Sequence, residues 1–356
     1  MLRQRQPTSA ALRRWIFGVA AVVLATGGCI AALVLTDVYL HFRVQNQAGV
    51  NVWGYRGPVV GRKKPGDIRI VAIGGSTAFG YGLPWNESWP FYLDEFLNTA
   101  PASGRYQVIN LGAPGQGAYG FSFDLTDYAY LQYDVAILYE GYNDLGRPMA
   151  FDPTPGVVNH YLWRRQSPVY RMTGYFPVLP LVFREKAMAL RAGGDLDAAY
   201  RGEVHFKPGL AAATTASVLA SAARITDAIG ERLGGLSAGV ALSHDPIDTT
   251  TWTSYTDSVV AATAGARARG VRVVVVTQPY VSDAHVAQQR ALAAALESRF
   301  RGDRGVRYVN LGEAVDLQDR SVAYDGLHLV ARANRTIASR LVETVREISE
   351  NLTHHD

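Results

Sequence analysis

The chain is nearly free of cysteine: Cys29 is the only one among 356 residues. A single cysteine excludes an internal disulfide and any cysteine-based metal site, and it does not report the redox compartment. An excess of one charge is also missing from the body of the protein. The formal net charge of +4 traces to Arg3, Arg5, Arg13 and Arg14, which stand in a stretch without acids; removing those four from 35 bases leaves 31 against 31 acids. A neutral body gives no compositional support to a nucleic-acid-binding face. There is no Gly-Lys-Ser/Thr phosphate loop, no dinucleotide fingerprint with the required glycine spacing, no internal repeat and no low-complexity tract.

What is present begins with a long apolar run. Trp15 to Thr36 reads WIFGVAAVVLATGGCIAALVLT, 22 residues without a charge. At 1.5 Å per residue that crosses a bilayer core of about 30 Å. The run is long for a signal-peptide core and has no convincing small-x-small cleavage site, so we read an uncleaved anchor over 15–40, behind a basic tail at 1–14. A cleaved N-terminus, or one lipidated at Cys29, is the alternative; Thr26 stands where a lipidation signal usually has a bulky aliphatic. Arginines before the span keep the tail in the cytoplasm by the positive-inside rule and send the rest outward, to the periplasm or cell exterior.

Residues 41–66 read as an aperiodic connector rich in Gly, Pro and bases. After it, short continuous apolar runs alternate with amphipathic ones. The runs predict strands at Ile68–Gly74, Gln107–Leu111, Val135–Tyr139, Val271–Thr277 and Arg307–Asn310. Unbroken apolar strands are expected when both faces of a parallel sheet are covered. Helices are expected at Ser88–Asn98, Phe121–Leu131, Tyr255–Arg269, Ala284–Phe300 and Ala331–Ser349. The alternation predicts a doubly wound α/β domain over 67–350 with about five parallel strands. The interval 145–254 breaks the rhythm, with helical stretches near 181–190 and 210–233, and reads as an insertion over the sheet's carboxyl edge. Residues 351–356 form a tail, whose His354 and His355 on a frayed end do not make a metal site.

Four blocks follow strand ends or precede the last helix. Gly74-Gly75-Ser76-Thr77 places one hydroxyl just past the first strand, where glycines permit a tight turn. The same fragment also fits a turn with Ser76 as a helix cap. Tyr324-Asp325-Gly326-Leu327-His328 brings an acid and an imidazole onto one short turn. A serine needs a base to take its proton, and the base needs an acid to fix its tautomer. Asn110–Gly117 (NLGAPGQG) and Gly141–Asp144 (GYND) follow the second and third strands and offer donors for a negative oxygen: the Ser76 N–H, a glycine N–H and the Asn143 amide. Each block alone fits an ordinary turn; together they describe a nucleophile, base, orienter and oxyanion site.

In this order the blocks resemble the SGNH (GDSL-type) hydrolase family, named for Ser, Gly, Asn and His in separate motifs. GGST stands for the usual Gly-Asp-Ser, with Gly75 in place of the aspartate; NLGAPG supplies Gly115, GYND supplies Asn143, and DGLH supplies Asp325 and His328. Gly112 lies in the same loop and competes with Gly115 as donor. The resemblance covers about 67–350, apart from the insertion. It implies a flavodoxin-like three-layer α/β/α sandwich and a serine esterase: Ser76 as nucleophile, His328 as base, Asp325 as orienter, and the Ser76 N–H, Gly115 and Asn143 around the oxyanion. It calls for no metal or organic cofactor.

The expected substrate is an ester, an O-acyl group such as acetyl on a cell-envelope or secreted polysaccharide; the same triad would serve an O-acyltransferase or a lipid-ester or thioester hydrolase. A polysaccharide-binding or assembly subunit without turnover has no need for all four groups together. Tyr142, Gln278, Tyr280 and His285 are expected near the same edge as pocket residues, with Trp252 as a further wall. For His285 the competing expectation is a surface position in a helix first turn capped by Ser282 or Asp283. Aromatic residues between Phe151 and Phe183 are candidates for sugar stacking or for the insertion's own core.

Overall fold

Five apolar runs become five parallel strands: β1 (Asp67–Gly74), β2 (Arg105–Asn110), β3 (Val135–Tyr139), β4 (Arg272–Thr277) and β5 (Val306–Asn310). The computed structural model describes residues 9–99, 105–145, 172–175, 177–194, 209–234 and 252–350. Strand order is β2-β1-β3-β4-β5, the flavodoxin-like order. Registers align the carboxyl ends: Ala72 pairs with Asn110, Gly74 with Tyr139, Tyr139 with Val276, and Thr277 with Asn310. The loops carrying Ser76, Gly115 and Asn143 therefore leave one edge of the sheet, around β1 and β3, where the chain direction across the sheet reverses.

Period-2 alternation sorts the strand residues onto two faces. Ile68, Ile70, Ala72, Val135, Ile137, Val274 and Val276 face one core; Val71, Ile73, Ala136, Leu138, Val273 and Val275 face the other. The first core is closed by α3 (Trp89–Asn98) and a C-terminal helix, Ala331–Ser349, here α9. Their buried residues recur at helical spacing: Trp89, Leu93 and Leu97, and Ile337, Leu341, Val345 and Ile348. The second core is closed by α4 (Phe121–Asp127), α7 (Thr253–Ala268) and α8 (Asp283–Phe300). This is the expected three-layer sandwich. Trp89 is fully buried, with its ring 5.2 Å from that of Tyr139 under the site. Trp89→Ala leaves a large cavity there and is expected to cost about 3–5 kcal/mol, read as a fall in the denaturant midpoint of the full chain.

The N-terminal helix α1 spans Ser9–Ala48, eight residues beyond the expected end of the anchor. Leu12–Arg43 is long and apolar enough to cross a membrane. The last turns of that stretch already pack against the protein. Asp37 is buried and accepts hydrogen bonds from the Tyr175 hydroxyl, the Val178 N–H (3.0 Å) and the Leu179 N–H (2.6 Å). Those N–H groups open α5 (Leu179–Arg191), so a carboxylate from α1 caps a helix of the insertion. α5 packs along α6 (Leu210–Gly234). Most of the aromatic-rich stretch that begins at Phe151 lies outside the described residues.

The connector expected over 41–66 is not loose. Tyr55 is buried in the second core, and the Arg56 N–H donates to the Asn110 carbonyl (2.9 Å). Aperiodic segments bury individual anchors without leaving a pattern, which is why hydrophobic periodicity passes over them.

Candidate active site

β1 ends at Gly74, Gly75 is the N-cap, and Ser76 opens a single helical turn, α2 (Ser76–Phe79), closed by Gly80 in the left-handed region at φ 78°. Arg56 holds that turn in place: its guanidinium donates to the carbonyls of Phe79, Gly80 (2.9 Å) and Leu83 and lies 4.0 Å from the Phe79 ring. Burial pushes Arg56 down to about 10, so it remains charged at neutral pH while it binds the carbonyls at the end of the turn. Thr77 accepts from the Gln278 side chain (2.6 Å).

The Ser76 hydroxyl lies 2.8 Å from His328 Nε2, and His328 Nδ1 lies 2.6 Å from Asp325 Oδ2. Residues 252 positions apart in the chain thus meet above the sheet edge. The turn is self-organising, because Asp325 Oδ1 also accepts from the backbone N–H groups of Leu327 (3.0 Å) and His328 (2.7 Å). Desolvation pushes the Asp325 carboxyl up, but the side-chain and backbone hydrogen bonds from His328 and Leu327 outweigh it and leave the group below the usual carboxylate range. An ionised Asp325 accepts the Nδ1 proton, which directs the Nε2 lone pair toward Ser76.

Beside the residue that precedes the serine, the Asn143 amide donates to the Gln116 carbonyl (3.0 Å), leaving its second N–H uncommitted to that carbonyl. A Cβ on Gly75 would stand 2.3 Å from Asn143 Nδ2, so this amide hangs directly over the residue before the nucleophile. The loop after β2 distinguishes its two candidate glycines by what their N–H groups bond. Gly112 N–H donates to the Asn110 side chain (2.9 Å) and is committed to the turn. Gly115 sits at φ 74°, and its N–H makes no hydrogen bond among the described residues. Asp144 ties the two loops, accepting from the Ala118 N–H (2.9 Å); burial raises this carboxyl to about 6.

The pocket candidates divide. Gln278 is fully buried and acts as a brace, donating to Thr77 and accepting from the Tyr142 N–H (3.0 Å). Ser282 does cap α8, yet His285 is fully buried, against the surface position that capping suggests. The rings of Tyr142 and Tyr280 fold over His285 at 4.9 and 5.8 Å, and burial lowers its imidazole to about 4, so it is neutral at pH 7. Tyr142 is half-buried, its hydroxyl donating to the Pro279 carbonyl. Tyr280 packs on Gly312 toward β5, and Trp252 stands at the N-cap of α7 at φ 49°.

Sequence reasoning missed three neighbours of the site. Tyr81 and Tyr324 flank His328, with ring centroids at 5.1 and 6.0 Å; the Tyr324 hydroxyl donates to the Tyr81 carbonyl (3.1 Å), and both rings are exposed. Tyr324 touches Asp325 in sequence, a signal that was available. Glu140, just before GYND, is the third. Among the described residues no cluster of three His, Cys, Asp or Glu is placed to hold a metal ion.

No protein-family profile matches the chain, and no curated protein matches it. Several solved structures do match. A protein assigned to the lipolytic G-D-S-L family from Desulfitobacterium hafniense aligns at 12% identity over 77% of this chain and 98% of its own, with a TM-score of 0.39. An acetylxylan esterase from Geobacillus stearothermophilus aligns at 12% identity over 80% and 96%, with a TM-score of 0.42. An α/β hydrolase from the metagenome of Lake Arreo, Spain, aligns at 12% identity over 79% and 96%, also at 0.42. The chemistry proposed below rests on this chain's own side chains.

Proposed function

We propose that the protein is a serine esterase of SGNH type, held at the membrane by its N-terminal helix with the catalytic domain outside the cytoplasm. Its substrate is an O-acyl group, acetyl foremost, on a cell-envelope or secreted polysaccharide. The observation that carries the reading is the hydrogen-bonded chain Ser76–His328–Asp325, at 2.8 and 2.6 Å, with the Asn143 amide beside Gly75, the residue before the serine.

In this reaction Ser76 Oγ attacks the ester carbonyl carbon while His328 Nε2 takes its proton. The carbonyl oxygen becomes an oxyanion held by the N–H groups of Ser76 and Gly115 and the Asn143 amide. Collapse expels the alcohol oxygen, which leaves with the proton from His328. A water then gives one proton to His328 as its oxygen attacks the acyl-enzyme, and Ser76 departs as the alcohol, reprotonated by His328. Asp325 stabilises the imidazolium in both halves. The carbohydrate part of the reading draws on the exposed Tyr81 and Tyr324 beside the base, since a sugar's apolar face stacks on such rings.

The test uses the full chain in detergent with p-nitrophenyl acetate and with an acetylated polysaccharide. Triad-dependent release of nitrophenol and of acetate is expected; absence of both refutes the reading, and transfer of acetyl to an added oligosaccharide makes it a transferase. Membrane placement is tested by protease protection of intact cells, with the domain accessible from outside the cytoplasmic membrane. Tyr81→Ala is expected to raise KM for the polysaccharide at least tenfold while p-nitrophenyl acetate turnover falls less than threefold, in steady-state kinetics on both substrates.

A further inference from the structure

The glycine that departs from Gly-Asp-Ser has a structural counterpart. A Cβ on Gly75 would stand 2.3 Å from Glu140 Oε2 as well as 2.3 Å from Asn143 Nδ2, and 3.0 Å from the Gln116 carbonyl. A side chain at position 75 would have to displace the Glu140 carboxyl and the Asn143 amide, because a carboxyl from the residue just past β3 already occupies that volume. Glu140 is buried, and its Oε1 accepts from the Gly141 N–H (2.9 Å) and the Asn143 N–H (3.1 Å). Both bonds close the turn that presents the Asn143 amide. Gly141 is itself pressed between Gln288, Gln289 and His285, so this turn has little freedom apart from what Glu140 fixes.

We propose that Glu140 is a positioning residue of the oxyanion site, supplying from β3 the carboxyl that the motif at position 75 lacks and fixing Asn143 over Ser76. The inference rests on the esterase reading above. Among the described residues, the titratable groups that interact with Glu140 are Asp144, Tyr139, Tyr142 and Tyr255; the Tyr255 hydroxyl donates to the Glu140 carbonyl (2.7 Å), and none of the four is a cation. Burial first, and then the neighbouring Asp144, raises the Glu140 carboxyl to about 8. At neutral pH it is a neutral hydrogen-bonding group, which holds the loop without setting a negative charge beside a developing oxyanion. Above pH 8 it ionises, and the new charge opposes that oxyanion.

The experiment first shows that turnover of p-nitrophenyl acetate depends on Ser76, then compares variants of the full chain whose folding is checked by thermal melts. Glu140→Ala is expected to lower kcat at least fiftyfold with KM little changed. Glu140→Gln, whose amide oxygen still accepts both N–H bonds, loses less than tenfold at pH 7 and lacks the alkaline decline that the wild type shows above pH 8. Gly75→Asp is expected to lose at least a hundredfold while Glu140 fills the space. Gly75→Asp with Glu140→Ala recovers at least tenfold over Gly75→Asp alone, because truncation opens room for the new carboxyl and for Asn143 to move aside. A fully active Gly75→Asp, a double variant no better than Gly75→Asp, or an alkaline decline that persists in Glu140→Gln overturns the inference. If Glu140→Ala does not fold, the Gln variant's pH profile decides. Wild-type chain with no Ser76-dependent turnover refutes the esterase reading itself, a separate outcome.

Discussion

Ser76→Ala is expected to lower ester turnover by about 10⁴- to 10⁶-fold, to the level left by binding and the oxyanion donors alone. The size follows from the hydroxyl's unique position. Ser76 is half-buried at the mouth of β1, 2.8 Å from the imidazole, while the neighbouring Thr77 hydroxyl is buried and bonded to Gln278. No second hydroxyl on that turn can replace it. His328→Ala is expected to cost nearly as much and not to add to the serine loss, because the two act in one proton transfer. Steady-state kinetics of both single variants and the double variant on p-nitrophenyl acetate check this. Additive losses would mean the two residues act independently, against the 2.8 Å contact between them.

Asn143→Ala is expected to lower kcat by about 100- to 1,000-fold with KM within a factor of three, the signature of a donor that matters most once the carbonyl carries charge. The amide touches the Gln116 carbonyl in the resting enzyme, so its removal also frees the 110–117 loop. Measuring kcat and KM separately discriminates the roles: a rise in KM with kcat preserved would assign Asn143 to substrate binding.

The sheet was legible because parallel strands covered on both faces must be continuously apolar, and Val135–Tyr139 falls where that pattern puts it; the helix Ala331–Ser349 falls where the amphipathic period puts it. The candidate site was legible because its donors follow strands whose carboxyl ends share one edge, so motif and topology point to the same place. Burial of polar residues was not legible. Glu140 reads as the residue after an apolar strand, and only the structure shows its carboxyl packed over Gly75. His285 reads as a first-turn residue, and Tyr142 from the loop after β3, with Tyr280 just upstream, covers it. Tyr55 and Arg56 belong to a stretch with no period, yet one enters the core and the other clamps the turn after Ser76. Such contacts join distant segments, and local pattern carries no record of them.

Covalent labelling tests the central claim most directly. The full chain, treated with a serine-directed fluorophosphonate and digested for mass spectrometry, is expected to carry one adduct, on the peptide containing Ser76, and to lose it in His328→Ala. An unlabelled protein, an adduct on another serine, or undiminished labelling without His328 would contradict the proposal that these two residues form an activated pair.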